Sequence, residues 1–160
     1  MSQQVDELQE RLSEVLGRGG TSVGVAESLT GGELSAKLAS APGSSGWFRG
    51  GIVAYASDVK HDLLRVPPGP VVSDIAAVAM ASSSRELLEA DVSIAVTGVA
   101  GPEEQDGQPP GTVWMALSDR EGTTARLHRF SGAPAEIVDA TAAAALRWLL
   151  ERGSDGARAE

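Results

Sequence analysis

A serine sits inside a glycine-ended turn at Ala26-Glu27-Ser28-Leu29-Thr30-Gly31-Gly32. A short apolar run, Val23-Gly24-Val25-Ala26, feeds into this turn, and a helical pattern from Glu33 to Ala39 leaves it. The pattern predicts a strand, a tight polar turn and a helix start. Backbone N–H groups at a helix start lack intrahelical partners and carry partial positive charge. They can hold an anion, or an oxyanion developing beside a nucleophile. Gly31 and Gly32 let the backbone approach a ligand closely, because no Cβ intervenes. The chemistry this suggests is acyl transfer or hydrolysis at Ser28. The plainer alternative is that Ser28 or Thr30 simply caps the helix.

A second candidate emerges from the cations. Of 13 basic residues, 11 are arginine, and only Lys37 and Lys60 are lysine. Arginine stays protonated throughout the working range, whereas a buried lysine can give up its proton. Lys37 has a helical partner in Glu33, four residues earlier. Lys60 has no acid at that spacing, and Tyr55, the chain's single tyrosine, precedes it by five residues. The carboxylate of Glu27 is read either as a ligand for substrate or arginine or as an anchor for the turn. Glu103-Glu104-Gln105-Asp106 and the group Asp58, His61 and Asp62 have metal-compatible composition, but each reads better as solvated surface; no metal is expected.

These residues need elements to hold them. Val5, Leu8, Leu12, Val15 and Leu16 recur at helical spacing, which predicts a helix over 3–17 that ends at the glycines that follow. Strands are predicted at 22–26, 51–56, 92–96, 112–117 and 124–130. Helices are predicted at 31–40, at 57–64 with Ser57 as cap, from a Ser73 cap to about residue 90, and at 141–150. The loop 41–46 and the Gly/Pro-rich segment 98–111 connect them. Five strands interleaved with five helices suggest an α/β fold, a three-layer α/β/α sandwich. The short turn Asp119-Arg120-Glu121-Gly122 makes the last two strands antiparallel, so the sheet should be mixed and mostly parallel. One domain over 1–153 is expected, with 154–160 as a disordered tail.

Composition narrows the classes. A 42% hydrophobic content over 160 residues supports a core, built from Ala, Val, Leu and Ile because aromatics make up only 4%. The formal net charge of −9 and the lack of any basic run argue against direct nucleic-acid binding. With no cysteine, disulfides and thiolate chemistry are excluded. No apolar run has transmembrane length, and Met1 to Glu14 lacks a signal core. The reading is a soluble, cytoplasmic chain with no membrane role.

Several motifs occur together in a fixed order. They are Ala26-Glu27-Ser28-Leu29-Thr30-Gly31-Gly32, Gly43-Ser44-Ser45-Gly46-Trp47-Phe48 and Gly50-Gly51-Ile52-Val53-Ala54-Tyr55. Lys60, Val72-Ser73, Thr97-Gly98-Val99-Ala100-Gly101-Pro102, Pro110-Gly111-Thr112-Val113-Trp114 and Phe130-Ser131-Gly132 follow. In this order and spacing, over about residues 5–150, the chain closely resembles the C-terminal domain of the competence/damage-inducible CinA proteins. That domain also occurs alone as a nicotinamide-mononucleotide amidohydrolase. The resemblance implies a three-layer α/β/α fold and hydrolysis of nicotinamide mononucleotide to nicotinate mononucleotide and ammonia. It implies catalysis by Ser28, Lys60 and Tyr55, no cofactor, a small mononucleotide substrate and self-association into a homo-oligomer. The residues it implies for substrate binding are Glu27, Thr30, Gly31, Gly32, Ser44, Ser45, Thr97, Gly98, Ala100, Gly101, Gly111 and Thr112.

The chain departs from that pattern after Phe130-Ser131-Gly132. Ala133-Pro134 stands where the family usually has Asp-Arg, and Val138 occupies a later arginine position. Arginine is the usual bidentate partner of phosphate. Without these cations, a phosphate would have to use another, such as Arg49 or Arg147. Two functional readings follow: an amidohydrolase, and a non-catalytic binding or regulatory domain linked to competence or DNA-damage responses.

Overall fold

The structure is a computed structural model, and it describes residues 3–158. In chain order its elements are α1 (Gln3–Gly19), β1 (Val23–Glu27), α2 (Glu33–Ala39), β2 (Phe48–Val53), α3 (Ser57–Leu64) and α4 (Asp74–Leu87). Then come β3 (Val92–Gly98), β4 (Thr112–Asp119), β5 (Gly122–Arg129) and α5 (Pro134–Arg158). The strands form one sheet in the order β2-β1-β3-β4-β5. β1 pairs parallel with β2 and β3, while β4 runs antiparallel to both β3 and β5. Four strands therefore point one way and β4 alone is reversed.

Side-chain alternation splits the core into two layers. Val92, Ile94 and Val96 of β3 face a cluster with Leu8, Leu12 and Leu16 of α1, Leu34 and Leu38 of α2, and Ile137, Leu146 and Leu149 of α5. The opposite face is built from small residues. Ala26, Ala95 and Ala116 of the sheet meet Ala76, Ala77, Met80 and Ala81 of α4 and Leu64 of α3. Alanine on both sides lets α4 lie close to the sheet. The polar residues of β3 on that face find partners: Ser93 shares a 2.6 Å hydrogen bond with Ser84 of α4, and Thr97 donates to the Val71 carbonyl at 2.7 Å.

This topology creates a switch point. β1 connects through α2, on one face, to β2 at one edge. β2 then returns through α3 and α4, on the other face, to β3 on the far side of β1. The chains leaving β1 and β3 diverge, so a crevice opens at their carboxyl ends, the usual ligand position in open α/β sheets.

Several boundaries differ from those read in the sequence. β2 begins at Phe48, three residues earlier, because it pairs along the short β1 from Val23–Phe48 to Glu27–Val53. Gly50 and Gly51 thus lie within the strand. Ser57 is the first residue of α3, and Ala56 takes the cap position without a side-chain bond. Ser73 does cap α4, accepting from the Ala76 N–H at 3.1 Å. α1 runs through Gly17 to Gly19. α5 starts at Pro134, seven residues before the predicted start, and continues past Gly153 to Arg158, into the segment read as a tail. No helix among the described residues is long and apolar enough to cross a membrane.

Gly111 closes the long loop between β3 and β4. Its N–H donates to the Val99 carbonyl at 2.7 Å, and its carbonyl accepts from Phe130 N–H at 2.8 Å. Its φ of 93° is strained for an L side chain, and a methyl there would run into the Phe130 carbonyl. Gly111→Ala should therefore lower the unfolding free energy by about 2–4 kcal/mol in urea denaturation. An unchanged midpoint would show that the loop base is not held in this way.

Candidate active site

The turn after β1 is organised by a buried carboxylate. Glu27 has no solvent exposure. Its Oε1 accepts from Thr30 Oγ1 at 2.6 Å, from Leu34 N–H at 2.9 Å and from Gly32 N–H at 3.2 Å. Its Oε2 accepts from the Ser35 N–H at 2.9 Å and from the Ser35 hydroxyl at 2.6 Å. Glu27 is thus the anion at the start of α2, and it consumes the donors that the sequence offered to a ligand. Gly31 and Gly32, with φ of 56° and 107°, let the chain fold back over it.

Three N–H groups in the turn are left over. Gly31 N–H goes to the Ser28 carbonyl and Glu33 N–H to the Thr30 carbonyl. Those of Ser28, Leu29 and Thr30 meet no protein acceptor among the described residues. Ser28 is only 6% exposed, yet no hydrogen bond within the described residues ties down its hydroxyl. The Thr30 hydroxyl, by contrast, is committed to Glu27.

Ser28 and Leu29 line a cleft of about 390 Å³ at the switch point, with Tyr55 and the segment from Gly98 through Gln105 as its other walls. Gly98, Ala100 and Gly101 are in this wall. Tyr55 is 72% exposed and stands at the rim. Lys60, on α3, is almost wholly buried. Its Nζ donates to the Tyr55 carbonyl at 2.9 Å, so the link between these two residues runs through the backbone and not the phenol. Burial holds the Lys60 pKa below the ordinary lysine value of 10.5, while the Asp106 carboxylate acts in the opposite direction. Lys37 is explained by its 2.8 Å ion pair with Glu33.

Other predicted residues serve the walls. Thr97 is buried beneath the cleft on Val71. Thr112 takes the Val99 N–H on its carbonyl and, with Gly111, closes the loop base. Ser44 and Ser45 are not brought to this cleft: their 3₁₀ turn lies at the opposite end of β1, where Val23 N–H bonds Trp47. The Ser44 hydroxyl donates to the Ala39 carbonyl at 2.6 Å. Arg49 donates to the Leu88 carbonyl, and Arg147 lines a separate groove between α1 and α5; neither lines the cleft.

Asp106, which the sequence places in a solvated acidic run, has a structural role that this reading misses. Its Oδ2 accepts from both Val71 N–H, at 2.8 Å, and Val72 N–H, at 3.0 Å. With Thr97 on the Val71 carbonyl, this clasps the long loop to the connector before α4. The signal was an Asp-Gly pair inside a loop, where Asp commonly accepts backbone N–H groups. The departures at 133–138 also have a local explanation. Pro134 opens α5, and Glu136 reaches back to the Ala133 N–H at 3.1 Å, a helix-start arrangement.

The fold and cleft define an α/β protein with a hydroxyl at the switch point of a mixed sheet. Residues 5–152 match the family described as the CinA C-terminal domain, and the chain belongs to that family. A CinA-like protein of Geobacter sulfurreducens is 41% identical over 140 residues, 83% of this chain and 34% of that protein. The chain spans about a third of the length of the curated relatives it matches. Among solved structures, a CinA superfamily protein from Klebsiella pneumoniae superposes with a TM-score of 0.90 at 30% identity, covering 94% of this chain and 98% of that one. A competence or damage-inducible protein from Enterobacter asburiae gives a TM-score of 0.89 at 34% identity, covering 93% and 98%.

If Glu27 holds the turn, its loss should unfold the site and weaken the whole domain. Glu27→Ala leaves five donors without their acceptor and should cost about 2–4 kcal/mol in urea denaturation. Glu27→Gln should fall in between, because one oxygen becomes an NH₂ facing other donors. Wild-type stability in both variants would refute this anchoring role.

Proposed function

We propose that the chain is an amidohydrolase that deamidates nicotinamide mononucleotide or a close relative, using Ser28 as nucleophile and Lys60 as base. The observation that carries the reading is a free serine hydroxyl in the switch-point cleft, together with a buried lysine on α3 whose Nζ is bonded to the carbonyl of the cleft residue Tyr55. The family resemblance supplies the substrate class.

An amide is a poor electrophile, so its hydrolysis needs an activated nucleophile, oxyanion donors and a proton for departing ammonia. Neutral Lys60 takes the Ser28 proton as Oγ attacks the carboxamide carbon. The carbonyl oxygen gains the negative charge, and the N–H groups of Leu29 and Thr30 are the donors proposed to receive it. Protonated Lys60 returns its proton to the nitrogen, the C–N bond breaks, and ammonia leaves. A water then attacks the acyl ester, with Lys60 again accepting a proton and Ser28 Oγ recovering one. Tyr55, at the rim, is proposed to contact the substrate ring.

Ammonia release by the purified protein tests the reading. Ser28→Ala and Lys60→Arg should each lower kcat by about 10²–10⁴-fold with the fold preserved. Arginine keeps the charge but cannot act as base. Substantial turnover in Lys60→Arg would reduce the lysine to an electrostatic role. A dead Thr30→Ala beside an active Ser28→Ala would move the nucleophile to Thr30. Ligand binding without turnover in the wild type would favour the non-catalytic alternative.

The pH dependence has a definite sign. The base must be neutral, so activity should fall as pH drops through the Lys60 pKa. Asp106 favours the protonated form. Asp106→Asn should therefore move the acid limb of the kcat profile to lower pH, while an asparagine oxygen can still accept from Val71 and Val72. A limb that stays in place, or moves upward, would contradict the assignment.

A further inference from the structure

β2 forms one edge of the sheet and pairs only with β1. The Ala54 N–H bonds back to the Glu27 carbonyl. Backbone groups alternate in direction along a strand. The N–H and C=O of Gly51 and Val53 therefore point away from β1, with no partner among the described residues. An open edge of this kind is a template for another strand unless charge, proline or a covering element blunts it. β2 contains no proline, and neither Gly51 nor Val53 is charged. The other edge, β5, is blunted by Arg126, His128 and Arg129.

The side chains around this edge differ in size at its two ends. Seven large hydrophobic side chains stand exposed among the described residues. Four of them, Val53, Tyr55, Val59 and Leu63, follow one another from the end of β2 along α3. The opposite end of β2 is small: Ser45 and Gly46 are exposed, and the space beyond the Gly46 Cα is open. The edge is thus complementary to itself. Laid antiparallel across a two-fold axis, two β2 strands satisfy each other's outward groups by exchanging N–H···O bonds. A Gly51–Gly51 pair on the axis presents no side chain to hold the strands apart. The bulky end of each copy then meets the small end of the other.

We infer that β2 is the interface of a two-fold dimer whose sheet runs on from one copy into the next, and that each copy sets its 44–46 turn beside the other's cleft. With Gly51 on the axis, the register carries Ser45 of the second copy opposite Ser57, two residues past Tyr55 at the cleft rim. The turn that lies at the wrong end of β1 to serve its own cleft thereby reaches that of its neighbour. This interface stands apart from the chemistry proposed for Ser28.

The chain has no cysteine, so introduced thiols report on this register alone. Ser45 and Ser57 flank the six residues of β2, and a strand of that length separates them by roughly 20 Å or more within one chain. Ser45→Cys/Ser57→Cys should be captured as a covalent dimer by a bismaleimide too short to span β2, and neither single variant should be. Sedimentation velocity should show the wild type as a dimer. Val53→Pro removes an outward donor without touching the ladder to β1. It should raise the dimer dissociation constant at least about tenfold, because two symmetry-related hydrogen bonds are lost. Val59→Lys/Leu63→Lys, at two exposed positions, should weaken the dimer in the same direction, with circular dichroism unchanged. Monomer alone in the wild type, a dimer indifferent to these substitutions, or cross-linking equal in the single and double cysteine variants would each overturn the inference.

Discussion

A carboxylate withdrawn from water must find donors, and the whole candidate site is arranged around that requirement at Glu27. A buried charge left unpaired is strongly destabilising. Glu27 meets the demand with three backbone N–H groups and two hydroxyls. Drawing those donors together folds the chain back after β1 and starts α2 within a few residues. Ser28 is carried at the apex of this fold-back, with its own hydroxyl left over. The positive end of α2 is consequently occupied by the protein's own anion, so the donors left for a substrate oxyanion are those nearer the serine. A turn that looks like a ligand cradle is thus a braced support for one side chain.

The second constraint is the packing of α4 on an alanine face of the sheet. Close packing fixes the connector that precedes α4, and β3 and its loop then fasten to that connector at both polar atoms of Val71. Thr97 holds the carbonyl, and Asp106 holds the N–H. The cleft wall from Gly98 to Gln105 is therefore anchored at its root and near its far end, although beyond Gly98 it belongs to no strand or helix. The same arrangement brings the Asp106 carboxylate into electrostatic range of buried Lys60. One residue thus couples loop position to the charge state of the proposed base.

Much of this was legible in the residues, for identifiable reasons. From Val92 to Val96 β3 is a nearly continuous apolar run, interrupted only by Ser93, and both of its faces are covered. The polar turn before Glu33 is legible because its composition changes abruptly. Lys60 attracts notice because arginine has replaced lysine almost everywhere else. What stayed hidden is long-range. Nothing local says that Glu27 is wholly buried, or that Asp106 reaches a connector 34 and 35 residues earlier. Ser44 and Ser45 resemble site residues by motif, yet they sit at the other end of β1, which only the strand pairing reveals. The start of α5 is encoded by Pro134 and Glu136, ahead of the alanine-rich run that carries its strongest helical pattern.

The protonation state of Lys60 is the central claim. The chain has just two lysines, so a lysine side-chain carbon NMR titration of selectively labelled protein gives two resonances, and Lys60→Arg identifies which one belongs to Lys60. The account predicts that this resonance titrates below the ordinary lysine value of 10.5 and that its midpoint falls further in Asp106→Asn. A midpoint at or above 10.5 would contradict a buried lysine able to act as a base, and with it the proposed activation of Ser28.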